Sequence, residues 1–122
     1  MQFSTVLVLQ SDAGISRALV SSLCESFFSV RAVSTLDELF SAIVKHRAEI
    51  VILDMEVAAL PDVQRLSKNF PTVSIVCTHR LADEEMWTSA LSAGATDVCP
   101  PSDVKVLLSA LRSVTSTRRA AA

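Results

Sequence analysis

Glu49-Ile50-Val51-Ile52-Leu53-Asp54 is an apolar run that ends in a carboxylate. It shows no alternation of polar and apolar residues, so it reads as a strand covered on both faces, the state of parallel strands in α/β proteins. A carboxylate at the C-terminal end of such a strand lies on the edge where α/β sheets place their ligands. An earlier segment, Val6-Leu7-Val8-Leu9-Gln10-Ser11-Asp12, has the same form: an apolar strand that runs out into polar residues.

Outward from these two segments, strand-like and helix-like periodicities alternate along the chain. Short β-branched runs fall at Thr5–Leu9, Ser29–Val33, Ile50–Asp54, Val73–Thr78 and Thr96–Cys99. Between them, apolar residues recur three and four apart, as on amphipathic helices. The first such set is Ile15, Leu19, Val20, Leu23 and Phe27; the second is Leu36, Leu39, Phe40, Ile43 and Val44. The third, around Val57–Phe70, is weaker and contains Pro61; the fourth holds Met86, Trp87, Ala90 and Leu91; the fifth holds Val104, Leu107, Leu108, Leu111 and Val114. Ser34-Thr35 reads as a helix start, with Asp37 and Glu38 complementing the dipole; Ser102-Asp103 starts the last helix in the same way. Asp83-Glu84-Glu85 supplies the charge of another helix start, and Gly94 ends that helix. Strands alternating with helices imply right-handed crossovers and a doubly wound parallel sheet, an α/β fold.

Composition narrows the function classes. The chain of 122 residues suits one domain with a real core. Half of it is hydrophobic (50%), yet no apolar run approaches a membrane span and the N-terminus lacks signal-peptide features, so a cytoplasmic protein is expected. The net charge of −2 provides no basic field for nucleic acid. The 3 cysteines have no CxxC pairing, which argues against a disulfide framework or a zinc site; reduced, packed thiols are expected. A disulfide between Cys77 and Cys99 is conceivable if their strands bring them together, though a cytoplasmic setting argues against it. Residues 117–122 form a Ser/Thr/Ala-rich tail with Arg118-Arg119, expected to be disordered, after a domain spanning 1–116.

From Thr5 to about Ser116 the chain resembles the receiver domain of two-component response regulators. The resemblance implies a flavodoxin-like (βα)5 sheet with strand order 2-1-3-4-5. It also implies that Asp54 is the phospho-acceptor, receiving a phosphoryl group from a histidine kinase with a divalent cation on the transferred oxygens. The family's acidic pair after the first strand appears here as Gln10-Ser11, and Asp12 matches the variable third position. Either the metal pocket is degenerate, or Asp12 swings in to replace the lost acids; a one-residue shift along a strand turns a side chain away. The family's lysine after strand five is replaced by Pro100, before Pro101, and Lys105 lies a turn inside the last helix. In the family the bond before this proline is usually cis, so Pro100–Pro101 is the expected cis bond. Thr78 is the expected switch hydroxyl, or Cys77 if the register slips by one. The family's aromatic switch position reads Val98, and the chain has no tyrosine.

These departures favour an atypical or pseudo-receiver, a signalling protein-interaction module and not an enzyme, with impaired or absent Asp54 phosphorylation. The alternative is a functional phospho-accepting receiver, in which case magnesium would be held by Asp54 with Asp12; otherwise no cofactor is expected. The resemblance implies a signalling partner, a histidine kinase or an output domain. It also implies a homodimer face on the fourth helix, fifth strand and fifth helix, presenting Trp87, Asp97 and Arg112. Trp87 itself is expected in the core. No nucleic-acid or membrane partner is expected. A flavodoxin-like cofactor binder ranks behind, because no phosphate loop follows strand one and glycine occurs only 2 times. His46 and His79 read as surface residues. The domain either stands alone or is part of a longer protein.

Overall fold

A computed structural model describes residues 5–24, 29–79 and 83–99. In chain order its elements are β1 (Thr5–Leu9), α1 (Ala13–Leu23), β2 (Ser29–Val33), α2 (Leu36–His46), β3 (Ile50–Asp54), α3 (Leu60–Asn69), β4 (Ser74–Thr78), α4 (Glu84–Ala93) and β5 (Asp97–Cys99). All strand pairings are parallel and the order is β2-β1-β3-β4-β5, the order the resemblance implies. The expected fifth helix, the Pro100–Pro101 bond, Lys105, Arg112 and the tail lie outside the described residues.

The continuous apolar runs have a simple cause. Val6, Val8, Ile50, Ile52 and Val76 pack on one face of the sheet with Leu19 and Leu23 of α1. Leu7, Leu9, Val51, Leu53, Ile75 and Cys77 pack on the other, with Leu39 and Ile43 of α2, Val63 and Leu66 of α3, and Ala90 and Ala93 of α4. A strand with helices on both sides has no solvated face, so its polar–apolar alternation disappears. Each fully buried Leu, Ile or Val contributes about 1.5–3 kcal/mol of apolar burial.

Local signals place the helices. Thr35 Oγ1 accepts from the Glu38 N–H (3.1 Å) and Glu38 Oε2 accepts from the Ser34 N–H (3.2 Å), closing the start of α2 from both sides. Asp83 Oδ1 accepts from the Met86 N–H (2.8 Å) and opens α4. Pro61 sits in the first turn of α3, where its missing N–H costs nothing. Gly94 ends α4 with φ 120°, and a side chain there would collide with Ser67 of α3, so both conformation and space require glycine.

Two expectations are corrected, the burial of Trp87 and the packing of Cys24. Trp87 is 45% exposed and does not lie in the core. Helix α4 rests on the sheet through Ala90 and Ala93, and Trp87 falls on the flank of that face. Cys24 is exposed, whereas Cys77 and Cys99 are buried and unbridged. Their strands are neighbours, but Cys77 packs in one core layer and Cys99 in the other, on opposite faces of the sheet.

Candidate functional site

The strand register sets out the site. Leu9, Leu53, Cys77 and Val98 form one row across the sheet. One residue later, Asp54 pairs with Thr78 and Thr78 with Cys99, and the chain leaving β1 places Gln10 at the head of this row. Alternation turns this second row to the other face, at the C-terminal edge where ligands bind. Thr78 therefore accompanies Asp54, while Cys77 points away into the core.

Asp54 is 3% exposed and is held by backbone donors. Its Oδ2 accepts from the Ser11 N–H (2.8 Å) and its Oδ1 from the Glu56 N–H (2.8 Å). Thr78 is fully buried, and its Oγ1 accepts from Gln10 Nε2 at 2.9 Å. Asp12 is exposed and caps α1, its Oδ1 accepting from the N–H groups of Gly14 (2.8 Å) and Ile15 (3.1 Å). The carboxylate of Asp12 is thus engaged with its own helix. Among the described residues, no three His, Cys, Asp or Glu side chains come together as a metal-binding group. Burial pushes the Cys77 thiol up to about 12, with Cys99 adding to the rise, so it stays protonated at neutral pH and is no nucleophile.

On the neighbouring surface, Trp87 Nε1 lies 3.4 Å from Asp97 Oδ1, which also accepts from the Val98 N–H at 2.8 Å. The structure brings together Gln10, the Ser11 backbone, Asp54 and Thr78, while Asp12 caps α1.

Sequence reading treats Gln10 and Ser11 as lost charges and misses what they do. Gln10 makes a bond of its own, and Ser11 acts through a backbone group that any non-proline residue carries. No side-chain pattern reveals Ser11 or Glu56. The one available signal for Gln10 was a long amide two strands away from a hydroxyl in the same row.

No family model and no curated protein matches the chain. Solved structures do. A response regulator from Thermotoga maritima superposes with a TM-score of 0.86 at 20% identity, over 94% of this chain and 99% of that one. A CheY-like response regulator receiver domain protein from Methanospirillum hungatei gives 0.82 at 16% identity, over 99% and 100%. NtrX from Brucella abortus, solved in complex with ADP, gives 0.80 at 21% identity; the match covers 98% of this chain but only 29% of that protein. The chain has the fold of response-regulator receiver domains.

Proposed function

We propose that this chain is an atypical receiver, a protein-interaction module of two-component signalling in which phosphorylation of Asp54 is impaired or absent. The observation that carries the reading is the self-satisfied pocket. Both Asp54 oxygens accept backbone N–H groups, and the flanking side chains Gln10 and Thr78 bond to each other. Magnesium takes oxygen ligands in near-octahedral array and is held through carboxylates. Here Asp54 meets N–H donors, Gln10 and Ser11 carry no charge, and Asp12 caps a helix. This donor set does not fit magnesium, and the module works without a cofactor and without enzymatic activity.

Binding is then the remaining task. The partner is a signalling protein, a kinase or an output domain, and the surface is the α4–β5 face where Trp87 is 45% exposed beside Asp97. A second copy of the chain is the other occupant of that face. Among the described residues no helix is long and apolar enough to cross a membrane, and a cytoplasmic location accords with the signalling role.

Intact-mass analysis after incubation with acetyl phosphate and magnesium tests the proposal. The mass is expected to stay unchanged. A substantial species heavier by about 80 Da, one phosphoryl group, that disappears in Asp54→Asn would establish a functional phospho-acceptor instead.

A further inference from the structure

We infer that Gln10 is a built-in clasp that holds Thr78, and with it the end of β4, in one position across Asp54. Strands β1 and β4 are not neighbours, since β3 lies between them. The residues joined by the Gln10–Thr78 bond therefore stand on strands two spacings apart, about 9.5 Å, with the end of β3, which carries Asp54, between them.

The reach is selective. An extended glutamine places its amide nitrogen roughly 5 Å from Cα, and asparagine is shorter by one carbon–carbon bond, about 1.5 Å. Asparagine would leave the gap open. Aspartate would be both too short and acceptor-only, leaving Thr78 Oγ1 without its N–H donor.

The clasp belongs to a closed ring. Gln10 Nε2 donates to Thr78 Oγ1 (2.9 Å), and the Thr78 carbonyl accepts from the Met55 N–H (2.9 Å). Met55 follows Asp54, whose Oδ2 accepts from the N–H of Ser11 (2.8 Å), the residue after Gln10. Each bond fixes the groups the next one needs, so the ends of β1, β3 and β4 lock together.

The ring is continuous with the outer surface. After Thr78, the His79 N–H donates to the Cys99 carbonyl (3.2 Å) in β5, the strand whose Asp97 faces the Trp87 indole. A held β4 end keeps this face in a single arrangement, ready for its partner at all times. The inference deepens the pocket reading above, and the two fail separately: phosphoryl labelling addresses the pocket, and the dynamics of Thr78 address the clasp.

Relaxation-dispersion NMR on the full chain is the test. The wild type is expected to give flat profiles at Thr78, His79 and the Trp87 indole. Gln10→Asn is expected to introduce microsecond–millisecond exchange at these three positions, with profiles in β2 and α2 remaining flat. Flat profiles throughout the variant, or exchange spread evenly over the molecule, would overturn the clasp and leave an ordinary structural bond. A double-mutant cycle gives an independent reading. Gln10→Asn and Thr78→Val are each expected to lower the folding equilibrium constant roughly tenfold, and the pair together also about tenfold, because both remove one bond. A combined loss near a hundredfold, the product of independent effects, would overturn the coupling.

Discussion

Two rows of side chains cross this sheet one residue apart, and they answer to different constraints. Leu9, Leu53, Cys77 and Val98 are all buried in the larger core layer. Gln10, Asp54 and Thr78 lie one step along the same strands, on the opposite face and at the open edge. The first row needs only apolar volume, which many residues supply. The second needs particular atoms at particular places. One row can change while the other stays, because adjacent rows share a backbone and almost nothing else.

The contrast breaks most readily in the apolar row. Leu53→Ala deletes a fully buried side chain on the central strand and is expected to cost about 2–5 kcal/mol in urea unfolding. A loss below about 1 kcal/mol would mean the row can collapse around the gap and is not the close-packed element described.

Cys77 makes the next largest difference, at alkaline pH. Its thiol is raised from 9.0 to about 12, so the folded state keeps the proton that the unfolded chain gives up. The sign follows directly. This contribution is fully present below pH 9 and is lost as pH rises from about 9 towards about 12, by up to roughly 4 kcal/mol for the whole span. Wild type should therefore lose stability more steeply over that window than Cys77→Ala; parallel curves would place the thiol in a more polar setting. Native-state thiol labelling should likewise modify Cys24 alone.

In the polar row, Asp54→Asn exchanges one acceptor oxygen for an amide nitrogen that faces a backbone N–H. The expected loss is about 1–3 kcal/mol. A gain in stability would show that confining the charge costs more than its two hydrogen bonds return. The smallest effect lies outside both rows. His46 titrates below its ordinary value, first through partial desolvation and then through Arg31 and Lys45. The fold thus disfavours the imidazolium and loses a little stability as pH falls through the ordinary histidine range. Arg31→Gln should move the His46 midpoint upward by NMR titration, and an unmoved midpoint would remove Arg31 from its surroundings.

Much of this molecule was legible in the chain. Strand β3 reads directly because Glu49–Asp54 is too continuous for a half-solvated strand, and α2 because Ser34-Thr35 marks its start and Asp37 and Glu38 fill its first turn. Strand order came from resemblance, since periodicity is the same for any order. Trp87 was misplaced for a physical reason: it follows Met86 by one position, and a 100° turn separates the sheet-facing side of α4 from its flank. The cysteine pair was similarly ambiguous, because adjacency of strands says nothing about which face each thiol takes. At the site, the identities of Asp54 and Thr78 were readable. The Ser11 and Glu56 contributions were not, because they are made by backbone groups present in every sequence.

The central claim is that this pocket is satisfied by its own groups and takes no metal. Magnesium titration followed by the amide shifts of Ser11 and Glu56, whose N–H groups bond Asp54, tests it most directly. Wild type is expected to show no saturable shift up to about 10 mM. Gln10→Asp/Ser11→Asp, which restores two carboxylates beside Asp54, is expected to show a saturable shift and a thermal midpoint that rises with the ion, since a ligand bound only by the folded state stabilises it. A saturable wild-type shift centred near 1 mM at these two amides, at the weak end of the range of oxygen-ligand sites, would contradict the account.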